Sequence, residues 1–183
     1  MDLEGPAIGL DGLARLARAA LAAALRGEPI PAPTLPAGPV ARRGAFVTLR
    51  KGGELRGCIG HLHFDRPVAE VVCEVAVAAA LEDPRFPPVT VEELAEITVE
   101  VSVLTAPQRL SPVDPAAVAV GRHGLILRHR GVAGLLLPQV AVEHGFDAVA
   151  FLEAVCHKAG LGAGAWRHPE AEVLIFEAEV VGE

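Results

Sequence analysis

Serine is nearly missing from this chain. Ser102 and Ser111 are the only two in 183 residues, and neither sits in a Gly-x-Ser-x-Gly elbow, so serine-nucleophile hydrolysis is not expected. There is no Gly-x4-Gly-Lys-Ser/Thr phosphate loop and no Gly-x-Gly-x-x-Gly after a strand, which removes the nucleotide-binding readings that rest on them. Cys58, Cys73 and Cys156 are the only cysteines and do not form the cluster that an iron–sulfur centre needs. No apolar run approaches the ~18 residues of a membrane span, and the N-terminal apolar stretch is broken by Arg15 and Arg18. Lysine is reduced to Lys51 and Lys158. The net charge of −7 argues against nonspecific binding to nucleic acid or to an anionic membrane. The opening Met1-Asp2-Leu3-Glu4 is acidic, unlike the basic start of an export signal, so a cytoplasmic protein with reduced thiols is expected.

What remains is a globular chain, 51% hydrophobic and 21% charged, long enough for a sizeable core. A single domain over residues 1–183 is expected, with room for a smaller lobe formed by part of it. Leu10, Leu13, Leu16, Ala17, Ala20, Leu21, Ala24 and Leu25 recur at helical spacing and predict a helix stopping at Gly27. Glu28 to Val40 carries five prolines and reads as an extended strap. Val68 to Leu81 is apolar on nearly all sides and predicts the most buried helix, with Cys73 packed inside it. Asp83 to Pro88 reads as a proline-locked loop and Val91 to Ala95 as a short helix. Ile97, Val99, Val101 and Val103 alternate with polar residues, the pattern of a half-buried strand. A hairpin is expected from His123 to Leu137 turning near Arg130-Gly131, then a helix from a cap at Asp147 to Lys158, and a final strand from Glu172 to Val181. Strands joined by hairpins, with helices in separate blocks, indicate an α+β class: antiparallel β-hairpins and sheet packed with about four helices.

The densest chemistry lies in Leu55-Arg56-Gly57-Cys58-Ile59-Gly60. With Ala45 to Arg50 as the preceding strand and Lys51-Gly52-Gly53 as a three-residue connection, Thr48 falls opposite Arg56 and Phe46 opposite Cys58. Alternation then places Arg56 and Cys58 on one face, and Leu55, Gly57 and Ile59 on the other with Val47 and Leu49. Same-face neighbours lie roughly 7 Å apart, close enough for a guanidinium to favour a thiolate. Gly57 and Gly60 suggest close approach of a backbone or ligand. The same stretch also fits a small buried cysteine with no chemistry.

Cys58, His61 and His63 are soft-ligand types at close spacing, but the spacing is not that of a standard metal site, and surface or satisfied histidines explain it better. Cys156 belongs to the last turn of its helix, where the dipole raises a thiol pKa, so it is a poorer nucleophile than Cys58. Gln139 can read a ligand's polar edge or cap a helix. Arg85 can grip a carboxylate or phosphate, or pair with Asp83 or Glu82.

Leu55 to Gly60 resembles the signature of the AMMECR domain family, also called AmmeMemoRadiSam system protein A. Further similar segments are Asp83 to Pro88, Ile97 to Leu104, Gly121 to Leu125, Leu137 to Val140, and Cys156 to Leu161 followed by Trp166. They span most of the chain in the family's order. The resemblance implies an α+β fold and association with a Memo-like protein and a radical S-adenosylmethionine enzyme, whose cluster must then sit on that partner. It implies neither a metal nor a cofactor in this chain.

Two functions follow. One is an enzyme or enzyme component whose pocket gathers Arg56, Cys58, Asp83, Arg85, Glu100, Gln139 and Lys158. In it Cys58 is nucleophile or covalent carrier, Arg56 and Arg85 are anion grips, and Glu100 accepts a proton. The other is a non-catalytic module that binds a small molecule or docks on its partners.

Overall fold

In the computed structural model of the chain, residues 9–31, 42–62 and 64–183 are described. They divide into two compact units: the described residues up to Leu104 with Glu179–Glu183, and Thr105–Ala178. Most of the expected proline strap lies outside the described residues.

The first unit packs helices α1 (Leu10–Arg26) and α2 (Val68–Leu81) on one face of an antiparallel sheet. Its strands are β1 (Ala45–Lys51), β2 (Glu54–His61) and β3 (Ile97–Leu104), in the order β2-β1-β3. The helical spacing read above becomes the buried stripe Leu13, Leu16, Ala17, Ala20 and Leu21, and Gly27 ends α1 at φ 69. Helix α2 buries nine of its residues, among them Cys73 and a run of alanines and valines. From β1 and β3, Val47, Leu49, Val99 and Val101 meet these helices, each at most 1% exposed. Burying one such side chain contributes about 1.5–3 kcal/mol. Val91–Ala95 is a turn of 3₁₀ helix, opened by a capping box between Thr90 and Glu93.

The β1–β2 register differs from the sequence expectation. Gly52 and Gly53 both adopt positive φ, 59 and 84, so the connection is two residues long and Lys51 pairs with Glu54. An extra residue then enters β2: Arg50 pairs with Leu55, but Leu49 pairs with Gly57. Thr48 therefore faces Cys58, where Arg56 was expected, and Phe46 faces Gly60. The shorter turn and the bulge each shift the register by one residue, so together they restore the parity of the faces. Cys58 stays on the side of Thr48 and Phe46, and Gly57 and Ile59 stay on the helix side. Only the residues before the bulge change: Glu54 pairs with Lys51, and Leu55, paired with Arg50, leaves the core face and is 37% exposed.

In the second unit β5 (His123–His129) and β6 (Val132–Leu136) form the expected hairpin, turning at Arg130-Gly131 with φ 50 and 78. Strand β7 (Glu172–Gly182) pairs β5 on its other side and also the short β4 (Gln108–Arg109). Helices α3 (Pro138–Glu143) and α4 (Ala148–Lys158) belong to this unit. Asp147 caps α4 by accepting the Ala150 N–H at 2.8 Å. Phe151, Leu152, Val155 and Cys156 of α4 join Leu125, Leu127 and Val173 in the core. Among the described residues no helix is long and apolar enough to cross a membrane.

Candidate functional site

Strand β2 lies at the end of the strand order, so one row of its backbone groups has no neighbouring strand among the described residues. At Cys58 that row is taken by the loop after α2. The Cys58 N–H donates to Asp83 Oδ2 at 2.9 Å, and the Cys58 carbonyl accepts from Arg85 Nη2 at 3.3 Å. Arg85 also donates to Asp83 through its backbone N–H, Nε and Nη2, at 3.1, 2.9 and 2.7 Å. Each oxygen of Asp83 thus accepts two hydrogen bonds while its side chain is 2% exposed. The Arg85 guanidinium, and then the two backbone amides, outweigh burial and hold the Asp83 carboxyl well below the usual carboxylate range.

Because the backbone groups of Cys58 point to the loop, Cys58 and Thr48 form a non-hydrogen-bonded pair, the type with the closer side chains. Thr48 Oγ1 accordingly lies 3.3 Å from Cys58 Sγ. On the other side of β1, Thr48 pairs with Glu100 of β3. Cys58, Thr48 and Glu100 therefore form a row across three strands on one face, with Glu100 about 10 Å from Cys58 at two strand spacings. Glu100 is half-buried, and Thr48 is 5% exposed.

The two glycines beside the thiol are explained by the protein itself. A Cβ on Gly57 would lie 2.0 Å from the Ala79 carbonyl oxygen, so Gly57 lets α2 pack directly on the β2 backbone. A Cβ on Gly60 would lie 2.2 Å from the ring of Phe46, its cross-strand partner.

Arg56 is fully engaged. Its Nε and Nη2 form a fork on Glu93 at 3.1 and 3.0 Å, and Nη1 and Nη2 reach the carbonyls of Pro87 and Pro88 at 2.8 and 3.3 Å. Glu93 also accepts the Thr90 N–H and Lys51 Nζ, and these donors, Arg56 first, bring its carboxyl down to about 2. Arg56 thereby ties β2 to the proline loop. Arg85 differs, since 54% of its side chain is exposed and its Cζ lies 5.5 Å from the Phe86 ring centre.

The structure brings Asp83 and Arg85 to the backbone of Cys58 and sets Glu100 on its face. Gln139 and Lys158 belong to the second unit. Gln139 is half-buried in the first turn of α3, whose cap is Leu137 with no side-chain bond, and Lys158 is exposed at the last position of α4. His61 lies an odd number of residues from Cys58, on the opposite face, and pairs with Glu74 at 3.0 Å. His63 lies outside the described residues, and among the described residues no group of three His, Cys, Asp or Glu could hold a metal ion. Burial pushes the Cys73 thiol up to about 11 and raises Cys156 as well, whereas Cys58 is only half-buried.

Sequence reasoning overlooked Thr48 and Glu93. For Glu93 a signal existed, since Thr90-Val91-Glu92-Glu93 has the spacing of a capping box. For Thr48 none did, because its contact depends on the bulge.

A family model described as AMMECR1 matches residues 14–181. Protein Ta0236 of Thermoplasma acidophilum is 44% identical over 176 residues, covering 92% of this chain and 84% of that protein. A protein of Methanothermobacter thermautotrophicus is 51% identical over 146 residues, with 78% of this chain and 76% of that protein covered. The crystal structure of the uncharacterized protein PH0010 from Pyrococcus horikoshii is similar with a TM-score of 0.87 at 40% identity, over 94% of this chain and 90% of that one.

Proposed function

Since the chain belongs to the AMMECR1 family, we propose that it is an enzyme or enzyme component that uses Cys58 as a nucleophile or covalent carrier for a small molecule. The observation that carries this reading is the contrast between the thiol and its mounting. Cys58 is the least buried of the three cysteines, yet its backbone is bonded on both sides by Asp83 and Arg85. A clamp of this kind presents one side chain in one place, which is what covalent chemistry requires.

In the proposed step Cys58 Sγ bonds to an electrophilic carbon of the substrate, and the displaced electron pair stays with the substrate. The thiol proton leaves on the side of Thr48 Oγ1, 3.3 Å away, and Glu100, next in the row, is its final acceptor. Arg85 is the anion grip, since its outer edge is exposed, and Arg56 is a positioning residue that acts through Glu93 and the loop. The chain works in the cytoplasm beside a Memo-like protein and a radical S-adenosylmethionine enzyme, as the family resemblance suggests.

A second reading is a binding or docking module without chemistry. It is favoured by the fact that both arginines nearest the thiol already pair with carboxylates, Glu93 and Asp83.

The test is to purify the protein from cells that hold its genomic neighbours and record its intact mass under native and denaturing conditions. A mass adduct that survives denaturation, maps to Cys58 and disappears in Cys58→Ser supports covalent chemistry. A ligand or partner that is retained by Cys58→Ser and released on denaturation supports the binding module instead.

A further inference from the structure

The second unit holds a cleft of about 330 Å³ between the stretch Arg109–Val113 and the stretch Trp166–Ala171. Its charge runs against that of the protein. In a chain of net charge −7, this cleft is lined by Arg109, Arg167 and His168 and, among the described residues, by no acidic side chain.

The three cationic or donor groups are mounted differently from those near Cys58. Arg109 lies on β4 opposite Leu174, is exposed, and its side chain has no hydrogen bond or ion pair among the described residues. Arg167 is held flat, its Cζ 3.9 Å from the centre of the Trp166 ring. Nη1 of Arg167 donates to Glu153 at 3.0 Å, while its Nε and Nη2 have no partner among the described residues. Glu153 itself is anchored from behind, accepting the Gly164 N–H and Trp166 Nε1 at 2.6 and 2.9 Å. That carboxylate therefore orients Arg167 without lining the cleft. His168 accepts the Glu170 N–H on Nδ1 at 3.2 Å, so its neutral ring carries its proton on Nε2 and is a donor. Its ring lies 4.6 Å from that of His129, which is 7% exposed.

Between these donors the wall is mixed, with Leu110, Val113 and Pro169 giving it an apolar part beside Ser111. Preset donors beside an apolar strip, in a volume at the lower end of small-molecule sites, fit a compact ligand with one charged end. We propose that this cleft binds a small organic oxyanion, a carboxylate or phosphate monoester whose head lies between Arg109 and Arg167 and whose body covers the apolar strip. The site is independent of the thiol chemistry proposed for Cys58.

Calorimetric titration with phenyl phosphate, benzoate and inorganic phosphate tests it, with benzylamine as the cationic control. At least one of the two organic anions is expected to bind, and which one binds identifies the head group. Arg109→Ala should weaken that binding about tenfold or more, the size of one charge-assisted hydrogen bond. The Arg109 side chain makes no bond among the described residues, so its removal should leave the thermal melt unchanged, and Arg109→Lys should recover part of the affinity. Should Arg167→Ala unfold the unit, the Arg109 pair still decides the matter. The proposal is overturned if neither organic anion binds up to about 10 mM, if Arg109→Ala leaves the affinity intact, or if benzylamine or inorganic phosphate binds as tightly as the organic anions.

Discussion

Asp83 Oδ2 accepts the backbone N–H of Cys58 at 2.9 Å, across 25 positions of sequence. Through this bond a loop stiffened by Pro84, Pro87 and Pro88 replaces a missing neighbour strand at the edge of β2. The thiol is consequently held by its own main chain, and Arg85 completes the hold at the carbonyl. Whatever Cys58 does, Asp83 is the residue that decides where it stands.

Replacing that carboxylate should therefore be expensive. Asp83→Ala strips Arg85 of its buried partner and leaves the Cys58 N–H without an acceptor, a loss of about 2–4 kcal/mol. For a chain of this length the melting temperature should fall by roughly 5–15 °C, and Asp83→Asn, which keeps one acceptor oxygen, should fall less. Scanning calorimetry measures both, and an Asp83→Ala variant that melts with the wild type would remove the clamp from the account.

The same pairs predict an acid limb. The carboxyls of Asp83 and Glu93 are both depressed in the folded state, chiefly by Arg85 and Arg56. A depressed carboxyl stabilises the fold at every pH above its unfolded value of about 4, and that contribution disappears as pH falls through the folded value. Melting temperature should hold level from pH 7 to about 5 and drop steeply below about 4. Thermal melts between pH 7 and 2.5 test this. The drop should be shallower in Asp83→Asn; an identical slope in that variant would contradict the assignment.

Gly57 and Gly60 should tolerate a methyl group very differently. On Gly57 the new atom meets the Ala79 carbonyl in the backbone of α2, which cannot turn aside. On Gly60 it meets the Phe46 ring, a side chain that can rotate away. Gly57→Ala is expected to destabilise by about 3 kcal/mol or more and Gly60→Ala by about 1 kcal/mol. Urea unfolding of the two variants gives the order, and equal losses would mean that the helix can shift.

Among the thiols, Cys58 should be alkylated first. Cys73 and Cys156 are buried and their thiols are raised, Cys73 to about 11, while Cys58 is half-buried beside Thr48 Oγ1. Time-resolved iodoacetamide labelling read by peptide mass spectrometry measures the three rates in the folded protein. Thr48→Val should change the rate at Cys58 and leave Cys73 as it was. Faster labelling at Cys73 or Cys156 would reverse the ranking.

Local patterns in the sequence determined the elements. Leucine spacing sets α1, the apolar run sets α2, alternation sets β3, and Arg130-Gly131 between apolar strands sets the β5–β6 hairpin. Each depends on residues within a few positions of one another, where helical and strand periodicity acts. The face that carries Cys58 was legible for a subtler reason. The true turn is one residue shorter than the sequence suggests and the bulge adds one residue, and two one-residue shifts leave side-chain parity unchanged. The cross-strand partner of Cys58 was not legible, because a bulge answers to how β2 meets its surroundings and not to its own residues. The use of the charged residues was likewise decided by the tertiary structure. Arg56 finds Glu93 37 residues away and Cys58 finds Asp83 25 residues away, whereas Arg109 and Arg167, equally basic in sequence, are left with free donors at a cleft. An arginine carries its charge wherever it stands, but only packing decides which carboxylate reaches it and which of its donors stay free.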